Sequence, residues 1–130
     1  VNDEYGHDIG DKVLKELSRI LNETVRESDI IIRYGGEEFI VLLVNVKTED
    51  HALEVANKIR MRVSENEIDV YAGSKLRKTI SIGLSMFPND SKSLDSVITN
   101  ADIALYEAKS KGRNQVIRFK SEQISSVDLF

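Results

Sequence analysis

The sequence predicts an α+β fold, an antiparallel-rich central sheet flanked by helices. Three observations carry that prediction. Apolar residues recur at helical spacing in three stretches. Short runs of β-branched and aromatic residues, the composition of strands, lie between and after them. Two of those runs surround Gly35-Gly36, the mark of a hairpin.

Each element follows in order. Ile9, Val13, Leu14, Leu17, Ile20, Leu21 and Val25 predict the first helix. Asp11 falls near its start, where a carboxylate complements the helix dipole. Ile30–Tyr34 and Phe39–Val44 read as two strands around the Gly35-Gly36 turn. Ala52, Leu53, Val55, Ala56, Ile59 and Val63 form the second amphipathic helix. Ile68–Tyr71 and Thr79–Phe87 read as a further strand pair, joined by a loop at Gly73–Lys75. Pro88-Asn89-Asp90 breaks the chain, and a third helix runs from about Leu94 to Lys111, stopped by Gly112. Gln115–Phe119 is a last strand. One strand ahead of the first helix would complete a βαββα core with an appended strand pair.

Composition narrows the function. At 130 residues and 14.7 kDa the chain is one domain, large enough for its own core. With no cysteine, disulfides, thiolate metal sites and cysteine nucleophiles are all excluded. The net charge of −4 argues against a broad DNA-binding surface, although local cations or metals still permit phosphate binding. No apolar run approaches the roughly 20 residues of a membrane span. The chain opens on Val1 directly in motif-like sequence, as expected of a fragment.

The segment Arg33-Tyr34-Gly35-Gly36-Glu37-Glu38-Phe39 is the most informative. With Gly35-Gly36 as a two-residue turn, Glu37 enters the second strand on the face of Phe39 and Val41, and Glu38 points the other way. Glycine lets a backbone approach a phosphate, and carboxylates are the natural ligands of Mg²⁺. Two solvated glutamates at an ordinary hairpin tip are the plain alternative; the complete GGEEF string between two strands favours the site.

This string is a form of the GGDEF signature, and the chain resembles the diguanylate cyclase family from Asn2 to about Phe119. Supporting matches are Asn2-Asp3-x-Tyr5-Gly6-His7-x-x-Gly10-Asp11, Thr79-Ile80-Ser81-Ile82-Gly83, Ala101-Asp102-x-Ala104-Leu105-Tyr106-x-Ala108-Lys109 and Gly112-Arg113-Asn114. The resemblance implies a palm-like βαββαβ core of the nucleotidyl cyclase or ferredoxin-like kind, with an added strand pair. It also implies condensation of two GTP molecules into cyclic di-GMP with release of pyrophosphate, by a homodimer whose subunits each present one GTP. Two divalent metals, Mg²⁺ or Mn²⁺, would serve each site.

By the same resemblance Glu37 is a metal ligand and catalytic carboxylate, Glu38 is the neighbouring signature acid, and the Gly35-Gly36 backbone passes close to the phosphates. Asn2 and Asp11 match the guanine-reading pair, which suits the O6 acceptor and the N1 and N2 donors of that base. His7 lies in the same segment as a pocket residue. Without the resemblance, Asp11 reads as a helix cap, Asn2 as a turn residue and His7 as structural. Lys109 and Arg113 match the triphosphate-contacting cations, a role compatible with complementing the negative helix end. Arg26 and Asp29 have the RxxD spacing of the inhibitory product site, where arginine would clamp cyclic di-GMP; a local ion pair is the alternative. Lys58 and Arg60 are further basic candidates near that site.

The family carries a strand before Asn2 with a metal-binding Asp and a nearby Lys. The expectation is therefore a domain over residues 1–119 without its first strand, followed by a tail at 120–130 that is a loose terminus. An upstream sensor or receiver domain and a cytoplasmic location, or the cytoplasmic part of a membrane-anchored sensor, complete what the resemblance implies. The competing expectation is a catalytically inactive GGDEF module that binds GTP or cyclic di-GMP as a regulatory domain.

Overall fold

Helical periodicity becomes three helices among the described residues of the structure, a computed structural model that describes residues 7–34, 38–90 and 92–120. The elements are α1 (His7–Thr24), β1 (Ile30–Tyr34), β2 (Glu38–Leu42), α2 (Glu49–Glu65), β3 (Ile68–Asp69), β4 (Lys75–Leu76), β5 (Ile82–Leu84), α3 (Leu94–Ser110) and β6 (Val116–Arg118). The α+β class stands. Among the described residues the strands form three two-stranded sheets, two antiparallel and one parallel, in place of one continuous sheet. The chain divides into two compact units, residues 1–78 and 79–130.

In the first unit, α1 packs on α2 and meets β3. Ile9, Ile20 and Leu21 of α1 are buried, as are Ala52, Ala56, Ile59 and Val63 of α2 and Ile68 of β3. The α2 residues recur at four- and three-residue intervals, so they line one stripe of that helix. Thr48 starts α2 by accepting the His51 N–H at 3.1 Å, and Glu49 and Asp50 complement the positive helix end. A polar clamp closes the rim of the α1–α2 contact. Arg19 donates to Glu16 (3.0 Å), Glu23 (3.1 Å) and Asn66 (3.3 Å), and Arg62 donates to Glu23 (2.8 Å) and Thr24 (2.7 Å).

The β1–β2 hairpin forms as expected but in a different register. Tyr34 pairs with Glu38 and Arg33 with Phe39, so three residues connect the strands instead of two. The expected place of Glu37 in the second strand lies outside the described residues. Directly paired residues share a face, which puts Glu38 with Tyr34, Ile32 and Ile40. A shift of one residue exchanges faces, so register decides which side chains accompany each acid.

The expected pairing of residues 68–71 with 79–87 is corrected. Ala72 and Gly73 lie in the left-handed region at φ 51° and 80°, and Ser74 N–H closes the turn on Tyr71 O at 2.8 Å. The chain therefore reverses early, and β3 pairs with Lys75–Leu76, of which Lys75 was expected in the connecting loop. In the second unit, β5 pairs with β6 in parallel through α3, with Ile82 opposite Val116. Phe119 N–H extends that ladder to Leu84 O at 2.7 Å.

Ser93 caps α3 by accepting the Ser96 N–H at 3.2 Å. Val97, Ala104 and Ala108 form its buried stripe, and Gly83 of β5 lies against its backbone. The turn before α3 is tied to β6 by Asp90, which accepts Met86 N–H at 2.7 Å and faces Arg118 at 3.0 and 3.2 Å. No helix among the described residues is long and apolar enough to cross a membrane.

Candidate functional site

The acidic hairpin contributes Glu38 at the first position of β2, exposed, where the pleat hands the chain from the connection to the strand. Gly35, Gly36 and Glu37, the core of the predicted site, lie outside the described residues, as do Asn2 and the side chain of His7. Asp11 is exposed and is the fifth residue of α1, beyond the first turn in which a carboxylate gains from the dipole. The capping reading of Asp11 is therefore corrected: it is a surface carboxylate on an established helix. Among the described residues no three His, Asp or Glu side chains converge to hold a metal ion. Glu38 alone does not make such a site, so the metal expectation rests on Glu37.

The RxxD segment turns out to be a structural joint. Asp29 is 2% exposed at its side chain, accepting Arg26 N–H at 2.8 Å through Oδ2 and Val44 N–H at 3.0 Å through Oδ1. This carboxylate thereby ties the turn after α1 to the chain leaving β2. Arg26 keeps 54% of its side chain exposed while donating to the Val44 carbonyl, and its Nη2 lies 3.7 Å from Asp29 Oδ1. The local ion pair expected as the alternative is thus present, and the guanidinium remains accessible on top of it. Lys58 is exposed on α2, and Arg60 donates to Asn57 at 3.1 Å.

Lys109 and Arg113 stand at the other cationic position. Lys109 is exposed in the last turn of α3. The helix ends in a Schellman arrangement, with Arg113 N–H on Ala108 O at 2.9 Å, Gly112 N–H on Lys109 O at 3.5 Å and Gly112 at φ 119°. Gly112 is thus the predicted stop, and its backbone brings Arg113 immediately beside the helix end. Lys111 is engaged with Glu107 at 2.8 Å. Ser81 and Gln115, which hold this loop through side-chain hydrogen bonds, were not among the predicted site residues. The only sequence signal for Ser81 was its place in Thr79-Ile80-Ser81-Ile82-Gly83.

Electrostatically, the α1–α2 clamp is a set of mutually compensating charges. Arg19 holds the Glu16 carboxyl below its ordinary range, with help from Asn66, and Arg62 and Arg19 do the same for Glu23. These charges answer one another, which marks the clamp as a joint between helices.

A small α+β domain with an acidic glycine hairpin and a cationic helix end is the class that fold and residues define. The sequence profile described as "Diguanylate cyclase, GGDEF domain" matches residues 1–115. The chain is 46% identical over 121 residues to diguanylate cyclase A of Treponema denticola, covering 93% of this chain and 32% of that protein. Its structure superposes on the isolated GGDEF domain of TpbB (YfiN) from Pseudomonas aeruginosa with a TM-score of 0.90 at 30% identity, covering 98% of this chain and 73% of that one. The active GGEEF domain of a diguanylate cyclase from Vibrio cholerae gives a TM-score of 0.77 at 31% identity, covering 92% and 74%. The chain belongs to the GGDEF diguanylate cyclase family. It spans about a third or less of the length of the curated relatives it matches.

Proposed function

We propose that residues 1–119 form the catalytic domain of a diguanylate cyclase, with 120–130 as a tail, and that it condenses two GTP into cyclic di-GMP at a site formed between two subunits. The 3′-oxygen of one GTP attacks the α-phosphorus of the other. An O–P bond forms, the bridging bond to the β-phosphate breaks, the hydroxyl loses its proton, and pyrophosphate departs. Repeating the step in the opposite direction closes the ring. Because the reaction needs in-line positioning and charge neutralisation, its residues should be carboxylates, cations and close backbone, which is the inventory of this chain.

The observation that carries the reading is the hairpin, in which β1 ends at Tyr34, β2 starts at Glu38 and these two residues pair, within the signature segment of the sequence. Glu37 is the proposed metal ligand and catalytic carboxylate, with Glu38 beside it. Mg²⁺ or Mn²⁺ bound there would supply positive charge at the reacting phosphate. Asn2 and Asp11 would read guanine, with His7 lining the pocket. Exposure of Asp11 away from the helix start supports its availability for that role. Lys109 and Arg113 would contact the triphosphate.

Product inhibition is proposed at Arg26, with Asp29 building the turn that presents it and Lys58 and Arg60 as further basic contacts. An upstream sensor or receiver domain would govern pairing of the subunits. A cytoplasmic location, where GTP is abundant, completes the proposal.

The test is incubation of the full-length dimeric, product-free protein with GTP and Mg²⁺, reading cyclic di-GMP and pyrophosphate. Product is expected from the natural sequence and none from Glu37→Gln. Calorimetric binding of GTP with no turnover would replace the enzyme by a regulatory binding module; no affinity for either nucleotide would sink both readings.

A further inference from the structure

The loop after α3 is held more firmly than a helix end requires. Gly112, Arg113 and Asn114 have φ of 119°, 64° and 50°. Glycine adopts this region freely and asparagine tolerates it, whereas arginine does neither. Glycine would relax position 113, yet the chain places an exposed arginine there. Backbone kept in an unfavourable region around an exposed charged side chain points to a use for that side chain.

Hydrogen bonds explain how the conformation persists. Lys111 and Arg113 N–H groups donate to Glu107 and Ala108 carbonyls, both at 2.9 Å, and Gly112 N–H to Lys109 O at 3.5 Å. These bonds belong to the helix end. The peptide group that follows Arg113 is gripped from outside it. Its N–H, on Asn114, donates to Ser81 Oγ at 3.2 Å, while its carbonyl, on Arg113, accepts from Gln115 Nε2 at 3.1 Å. The same Gln115 amide reaches Lys111 O at 3.3 Å. Both peptide planes flanking Arg113 are therefore fixed, and with them the direction of its Cα–Cβ bond.

We infer that Ser81 and Gln115 are positioning residues that aim the Arg113 guanidinium at the phosphates of a nucleoside triphosphate. The inference rests on the proposed reading of Arg113 as a triphosphate contact and adds how that contact is oriented. A flexible arginine would lose side-chain and backbone freedom on binding; a pre-aimed one loses less.

Steady-state kinetics of the full-length protein with GTP and Mg²⁺ test it. Ser81→Ala and Gln115→Ala are each expected to raise KM for GTP about tenfold while kcat stays within about threefold. Arg113→Ala should raise KM at least as much, and adding Ser81→Ala to it should change nothing further, since no guanidinium remains to be aimed. Ser81→Thr keeps the hydroxyl and should restore KM, which separates aiming from a general loss of packing. Full additivity of Ser81→Ala with Arg113→Ala overturns the inference, as does a Ser81→Ala KM equal to that of the natural sequence. Amide exchange at Asn114 keeps the two ideas apart. Faster exchange in Ser81→Ala, with an Arg113→Ala protein whose KM is unchanged, refutes the GTP reading but supports the grip. Unchanged exchange refutes the grip whatever the kinetics.

Discussion

Substituting alanine at Gly83 tests how closely β5 and α3 approach. A Cβ at that position would lie 2.1 Å from the Ala101 carbonyl oxygen, 2.3 Å from Leu105 N and 2.9 Å from Leu105 Cα. All three are backbone atoms, so no side-chain rotation relieves the clash. Ordinary contact begins near 3.4 Å, and the helix must therefore withdraw by more than 1 Å. Withdrawal loosens the whole buried stripe, including Ala104 and Ala108, both 0% exposed. Overpacking commonly costs about 1–3 kcal/mol, and a gap of 0.5–1 Å forfeits a quarter to a half of each dispersion contact it opens. The expected cost is thus at the upper end, roughly 3 kcal/mol, equivalent to a fall in Tm of about 10 °C for a domain of this size. Thermal unfolding followed by circular dichroism measures it, with Gly73→Ala as the comparison. Gly73 sits at φ 80° with nothing within 4 Å of its added Cβ, so its cost is backbone strain alone, about 1 kcal/mol. A Gly83→Ala protein that melts within 2 °C of the natural sequence would refute the close approach.

Asp90→Ala should destabilise by about 3–5 kcal/mol in urea unfolding, because it leaves Arg118, 13% exposed at its side chain, without the carboxylate it faces at 3.0 Å; adding Arg118→Met should recover much of the loss. Asp29→Ala removes the acceptor shared by two backbone N–H groups and should cost about 2 kcal/mol by the same measurement, while also weakening inhibition by cyclic di-GMP. Arg26→Ala should relieve that inhibition with initial turnover largely intact; undiminished inhibition removes the site assignment. Glu16 and Glu23 both ionise below their ordinary value of 4.5 in the folded chain. Their contribution is present above that pH and disappears as acid protonates them through the lowered values. Melting temperatures measured downward from neutral pH should therefore fall through that range, and Arg19→Gln should flatten the fall; an unchanged acid limb would show that the clamp contributes nothing.

Helices were the most readable part of the chain, because their signal repeats over many residues. The α2 stripe of Ala52, Ala56, Ile59 and Val63 was visible as spacing, and Gly112 as a stop. Register of the hairpin was not, since a two-residue Gly35-Gly36 turn would set Arg33 against Glu38, whereas Arg33 pairs with Phe39. The β3–β4 hairpin was missed because two-residue strands have no period, and Lys75, Arg77 and Lys78 make that stretch look like a loop. Parallel pairing of β5 with β6 joins residues distant in sequence, beyond the reach of local patterning. In the candidate site, motifs identified the side chains but not their engagements. Nothing in Arg26-Glu27-Ser28-Asp29 announces that Asp29 is buried against Val44, and nothing in Gln115 announces a grip on Arg113.

The parallel pairing also sets an order of events. In the β1–β2 hairpin, Tyr34 and Glu38 are four positions apart, whereas Ile82 and Val116 are separated by 34. Hairpins of the first kind close in roughly 1–10 μs, while the second pairing must first bear the entropy of a long loop. A formed α3 would shorten that loop as a rigid rod within it, so pairing of β5 with β6 is expected to follow helix formation. Residue 83, where strand and helix backbones touch, is where that expected late step would be completed or would fail.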